Sequence, residues 1–161
     1  MKLEPLGDTA VVATLGQGID PATLASVLRC SEAVAAAGGR GIIDVVPAYA
    51  TVTVFYDPAQ FPQAAGDAFD QVCRFIASCA PRERVRAPET AAAAVEIPVC
   101  YGGDLGPDLG LVAESAKMDA AAAAALHSGA DYLVYAIGFT PGFPYLGGMP
   151  AALRTPRRAT P

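Results

Sequence analysis

At 161 residues the chain can hold one ordinary domain or two small ones, and 53% hydrophobic against 17% charged residues excludes a disordered polymer. Eleven basic against sixteen acidic residues leave a formal net charge of −5, which argues against nucleic acid or an anionic membrane surface as a main partner. No stretch is long and apolar enough to span a bilayer, and Met1-Lys-Leu-Glu-Pro5 is no signal peptide, so a cytoplasmic protein is expected.

Ala10 to Leu15 reads as a short apolar strand. Asp20-Pro21 then supplies a cap followed by proline at the first helical position. Leu24, Val27, Leu28 and Val34 line one face of the helix that follows, and Gly38-Gly39 stops it. Ile42 to Val46 and Thr51 to Tyr56 are strands. In the second, Val52, Val54 and Tyr56 alternate with Thr51, Thr53 and Phe55, as suits a sheet with one covered face. A helix starting near Pro62 puts Phe69, Val72, Cys73 and Ile76 on one side. The order β-α-β-β-α predicts an α+β layer resembling a ferredoxin-like sandwich over residues 1–80.

Residues 81–94 read as a linker of arginine, proline and alanine. Its basic residues Arg82, Arg84 and Arg86 are interrupted by Glu83 and flanked by Pro81 and Pro88. A second unit begins at Val95. There Val95, Ile97 and Val99 alternate as a strand, with Pro98 between them pointing to an edge or bulge. Gly106-Pro107 opens a helix carrying Leu109, Val112, Ala113 and Ala116. Asp119 is the expected N-cap of another helix, Ala120 to His127, closed by Gly129. Tyr132 to Ile137 is a strand leading into Gly138-Phe-Thr-Pro-Gly-Phe-Pro-Tyr-Leu-Gly-Gly-Met-Pro150.

That loop carries no charge and three aromatic rings, Phe139, Phe143 and Tyr145. Pro141-Gly142 fits the central positions of a type II turn, and Gly147-Gly148 permits close approach of the backbone. Two readings of the rings stand: a buried corner closing a barrel end, with Phe139 the ring nearest the strand, or the wall of a ligand or partner site with Tyr145 at its centre.

The remaining chemistry is sparse. The sequence has no Gly-rich phosphate loop, no dinucleotide fingerprint and no nucleophile elbow. His127 is its single histidine and the natural proton-transfer candidate, though the last turn of a helix also suits a histidine for electrostatic reasons alone. One histidine excludes a multi-histidine metal site. Cys30, Cys73, Cys79 and Cys100 form no Cys-x-x-Cys pair, so free thiols are expected. Asp104 and Asp108 read as caps, Asp8 and Asp44 as turn or cap residues. Tyr101 reads as a packing ring. Arg157 and Arg158 can form a bidentate fork for a carboxylate or phosphate.

The loop also resembles the GF-x-PGF-x-YL signature of the 5-oxoprolinase B-subunit family, also called the carboxyltransferase C/D-subdomain family. Leu6-Gly7-Asp8, Asp44-Val-Val-Pro-Ala-Tyr49, Tyr56-Asp57-Pro58, Ile97-Pro-Val-Cys-Tyr-Gly-Gly103, Gly106-Pro107-Asp108-Leu109 and Leu126-His127-Ser128 match it in order. The resemblance implies a second domain forming the first part of a cyclophilin-like β-barrel over residues 95–161, with the family's later segments and its Pro-Gly-Gly-Trp motif missing. It further implies one component of an ATP-dependent hydrolase that opens 5-oxoproline to glutamate with the A and C subunits, and is inactive alone. Gly138, Phe139, Pro141, Gly142, Phe143, Tyr145, Leu146 and Arg157 would contact substrate or partner, with His127 catalytic and ATP as cofactor. Two other roles found on the same fold unit stay open: a regulator that binds a sensor histidine kinase, and the first subunit of a urea-degrading allophanate hydrolase system.

Overall fold

A computed structural model of the chain describes residues 1–80 and 94–157. Most of the expected linker, with Arg82, Arg84 and Arg86, lies outside the described residues, as does Arg158. The chain divides into two units: the described part of Met1–Ala91 with Tyr135–Pro144, and the described part of Ala92–Val134 with Tyr145–Pro161. The architecture is α+β.

In the first unit the strands are β1 (Lys2–Pro5), β2 (Ala10–Thr14), β3 (Ile42–Ala48) and β4 (Thr51–Tyr56), and the helices are α1 (Pro21–Ala37) and α2 (Ala68–Cys79). The sheet runs β1-β2-β4-β3 with every neighbouring pair antiparallel. Strand β4 is therefore inserted between β2 and β3, which α1 connects. This is the split β-α-β of a ferredoxin-like sandwich, with β1 on the outer edge beside β2. Register sets Val11 opposite Val54 and Ala13 opposite Val52, and all four are fully buried. Val27, Cys30 and Val34 of α1 and Val72 and Ile76 of α2 complete that core. Burial pushes the Cys30 thiol up from its ordinary pKa, with Cys79 adding to the shift.

Helix α1 begins and ends where its signals stand. The extended Asp20 accepts hydrogen bonds from the N–H groups of Ala22 and Thr23 at 3.0 and 2.9 Å and from the Thr23 hydroxyl at 2.7 Å. Gly38 closes the helix in the left-handed region. Helix α2 starts at Ala68 and not near Pro62, because Asp67 supplies the cap by accepting from the Phe69 N–H at 3.1 Å. Two short 3-10 turns, Pro58–Gln60 and Gln63–Ala65, occupy the approach. Strand β1 lies where no strand was expected. Its four residues hold a charged pair and a proline, and it forms because the edge of β2 offers unpaired backbone groups.

The second unit holds a 3-10 turn (Gly103–Leu105), α3 (Leu109–Ser115) and α4 (Ala120–Ser128), packed around Ala113, Ala123 and Leu153. Asp119 caps α4, accepting from the Ala122 N–H at 2.7 Å. Asp108 precedes α3 but makes no capping hydrogen bond with its side chain. The strand expected over Val95 to Val99 is not formed. Residues 94–100 have no regular structure, and Val95 is 84% exposed. Alternation in sequence needs a partner edge to become a strand; among the described residues no strand pairs with this segment, and Pro98 lacks an N–H to offer one. Strands β5 (Leu133–Ile137) and β6 (Pro144–Gly147) form a separate two-stranded sheet. No barrel closes among the described residues, and none of their helices is long and apolar enough to cross a membrane.

Candidate functional site

The aromatic loop is anchored through Tyr135 at the root of β5. Tyr135 is buried and stacks on Tyr49, with ring centroids 6.4 Å apart and planes 14° from parallel. The Tyr49 N–H donates to the Tyr135 carbonyl at 2.9 Å. Tyr49 occupies the turn between β3 and β4 with φ of 53°, so one strained turn of the sheet holds the strand that presents the loop.

Beyond β5 the chain makes two successive turns. The Thr140 N–H donates to the Gly138 carbonyl at 2.7 Å, closing a three-residue γ-turn centred on Phe139, whose φ is 62°. A γ-turn with positive φ is rare and strained, the more so for a bulky side chain. The Phe143 N–H then donates to the Thr140 carbonyl at 3.0 Å, with Gly142 at φ of 80°. This is the type II turn that Pro141-Gly142 predicts. A third bond, from the Gly138 N–H to the Phe143 carbonyl at 3.0 Å, ties the two ends of the loop together.

The rings do not fill a core. Phe139 is 87% exposed and Phe143 44%, and the two meet edge to face at 5.8 Å. Of the two readings of the loop, burial of Phe139 as a plug is not made among the described residues. The covering surface that a plug needs is absent among the described residues. Tyr145 and Leu146, in β6, are 36% and 51% exposed. The close approach expected of the glycine pair is made by Gly148, where a Cβ would lie 2.7 Å from the Asp131 carbonyl oxygen.

His127 belongs to a different constellation, in the second unit. Its Nδ1 lies 2.6 Å from the Tyr101 hydroxyl, and the Tyr132 hydroxyl donates to the His127 carbonyl at 3.0 Å. The Tyr101 and Tyr132 ring centroids are 5.8 and 5.3 Å from the imidazole. Burial raises the Tyr132 pKa, with nearby Tyr101 a lesser cause, so the Tyr132 phenol is protonated near neutral pH. Tyr101 is thus more than the packing ring its sequence context suggests. Twenty-six residues separate it from His127, and no local pattern connects the two.

His127 and Tyr101 line a cavity of about 430 Å³, walled mainly by apolar side chains such as Leu105, Leu109, Val112 and Leu153. Among the described residues of this wall Asp108 is the charged one, and none is lysine or arginine. A second, shallower depression of about 490 Å³ in the first unit is lined by Asp44, Asp57, Tyr56 and Ile43. Asp44 and Asp57 there accept from the N–H groups of Val45 and Ala59, respectively, as turn residues. Arg157 is exposed.

Comparison with known proteins gives one consistent result. Residues 1–161 match the family described as carboxyltransferase domain, subdomain C and D. The chain is 34% identical over 164 residues to the B subunit of 5-oxoprolinase from Bacillus subtilis, covering 99% of this chain and 68% of that protein. It is 37% identical over 156 residues to the B subunit of 5-oxoprolinase from Escherichia coli O157:H7, covering 97% and 67%. The crystal structure of TTHA0988 superposes with a TM-score of 0.73 at 34% identity, over 93% of this chain but only 28% of that one. The chain spans about two thirds of the two bacterial relatives and little over a quarter of the crystallised protein.

Proposed function

Because this chain belongs to the carboxyltransferase-domain family, subdomain C and D, we propose that it is the B subunit of an ATP-dependent 5-oxoprolinase. In this reading it works in a cytoplasmic complex whose A and C subunits complete the hydrolysis of 5-oxoproline to glutamate. The names of its relatives in Bacillus subtilis and Escherichia coli support the reading.

The observation that carries it is Phe139, a large apolar ring 87% exposed on backbone at φ of 62°. Exposed apolar area and positive φ both oppose folding, so the ring's use lies outside the core of the described residues. Gly138, Pro141 and Gly142 shape the turns. Phe139, Phe143, Tyr145 and Leu146 offer the apolar contact, to a partner protein of the complex or to the ring of the lactam. His127 is the proton-transfer group, and Arg157 is a fork for the substrate carboxylate. ATP is the cofactor in this reading, as the family resemblance implies. Among the described residues, both cavity walls carry aspartate and neither carries lysine or arginine, so this reading places the triphosphate outside these two cavities.

Reconstitution with the A and C partners, followed by glutamate release from 5-oxoproline, tests the proposal. The complete mixture should turn over and this chain alone should not. Phe139→Gly should leave the melting temperature unchanged or raise it, while complex formation and turnover fall at least tenfold. A Phe139→Gly chain that assembles and turns over like wild type would overturn the assignment.

A further inference from the structure

We propose that the run Asp44-Val-Val-Pro-Ala-Tyr49 closes the free edge of the first unit's sheet to strand addition, so that a second copy of this chain cannot pair with it through β3. Strand β3 has β4 as its one neighbour among the described residues. A strand with a free side offers a row of unpaired backbone groups to another chain. The register shows which groups face outward. The Tyr56 N–H donates to the Thr9 carbonyl at 2.8 Å and the Leu15 N–H to the Ala50 carbonyl at 2.9 Å, both on the β2 side of β4. Backbone groups two residues apart point to the same side of a strand, so Val52 and Val54, between Ala50 and Tyr56, turn to β2 as well. Their opposite numbers on β3 are Pro47 and Val45, which therefore face away from β4.

Each outward N–H position from 45 to 49 is accounted for. The Val45 N–H donates to Asp44 Oδ1 at 2.8 Å. Pro47 has no N–H. Tyr49, two residues on and just past the strand, donates to the Tyr135 carbonyl at 2.9 Å. A side chain, a proline ring and the chain's own β5 thus remove the donors that a pairing strand needs. Carbonyls alone cannot build an antiparallel ladder, whose facing residues exchange N–H and C=O bonds. The register shift between Ile42 and Asp44 adds an irregularity at the start of β3, a further obstacle to a continuous ladder. The opposite edge is blunted differently: β1 is four residues long, carries the Lys2–Glu4 ion pair at 2.7 Å and ends on Pro5. The arrangement so prevented is a symmetric β3–β3 pair between two copies. A protein partner of this unit must then dock on side chains and not by extending its sheet, whichever reaction the chain serves.

The test follows amide exchange and self-association of the full chain at rising protein concentration. In wild type, exchange over residues 42–48 should be the same at low and high concentration, whatever other surfaces associate. Asp44→Ala combined with Pro47→Val restores both donors. That variant should self-associate at about tenfold lower concentration in sedimentation runs, with exchange over 42–48 slowing as it does. Asp44→Asn keeps a side-chain oxygen as acceptor and should behave as wild type. Asp44→Ala alone should speed exchange of the Val45 amide, a readout that needs neither association nor the double variant. Wild-type protection over 42–48 that grows with concentration would overturn the proposal. So would a folded double variant that associates no more readily than wild type, new protection confined to residues outside 42–48, or Val45 exchange unchanged in Asp44→Ala.

Discussion

Phe139 and Gly142 stand three residues apart, both with positive φ, and their chemistry is opposite. At Gly142 a Cβ would meet nothing within 4 Å, so the cost of a side chain there is conformational and not steric. Gly142→Val should therefore lower stability by about 1–3 kcal/mol, readable as a shifted denaturant midpoint. An unchanged midpoint would mean that the loop rearranges freely. Phe139 carries a comparable strain already, which is why glycine is the informative replacement there and alanine is not. The same logic applies to Tyr49, whose strained backbone is held by its contact with Tyr135. Strain of this kind persists where surrounding bonds over-determine the backbone, and three main-chain hydrogen bonds within residues 138–143 do so here.

Among the elements, the helix starts are the most chemically explicit. The Asp20 carboxyl is held below its ordinary pKa, first by the Thr23 hydroxyl and then by the Thr23 backbone N–H. A carboxylate with a lowered folded-state pKa adds stability that is present above its unfolded value and is lost as pH falls through the folded one. The melting temperature of wild type should therefore exceed that of Asp20→Asn at pH 6. The gap should narrow once pH falls below about 4. A gap independent of pH would show that asparagine and aspartate cap α1 by geometry alone. Helix α4 is six consecutive alanines, Leu126, His127 and Ser128. Helix propensity and the Asp119 cap are its local supports, so Asp119→Ala should cost about 1 kcal/mol in a melting experiment.

Over the whole molecule, stability is concentrated in the first unit. Among the described residues its core has ten buried side chains, from β2, β4 and the two helices, whereas the second unit's cluster has three, two of them alanine. Ile76→Ala should cost about 2–5 kcal/mol, measured by denaturant unfolding. Amide exchange should be immediate in peptides spanning 94–100 and slow in those spanning 10–14 and 51–56. Protection over 94–100 would contradict the irregular backbone there. The caps at Asp20 and Asp119, the alternation of β4 and the turn at Pro141-Gly142 were all legible along the chain, because each rests on interactions within four residues or on a period of two. The resemblance carried by the aromatic loop likewise needed only contiguous sequence. Three things were decided by tertiary structure. Strand β1 exists because β2 has an open edge, the alternating Val95–Val99 stays irregular because no edge meets it among the described residues, and Tyr101 reaches His127 from twenty-six residues away. A hydrogen bond between distant residues leaves no periodic trace, and a strand is a property of two segments, of which a sequence displays only one at a time.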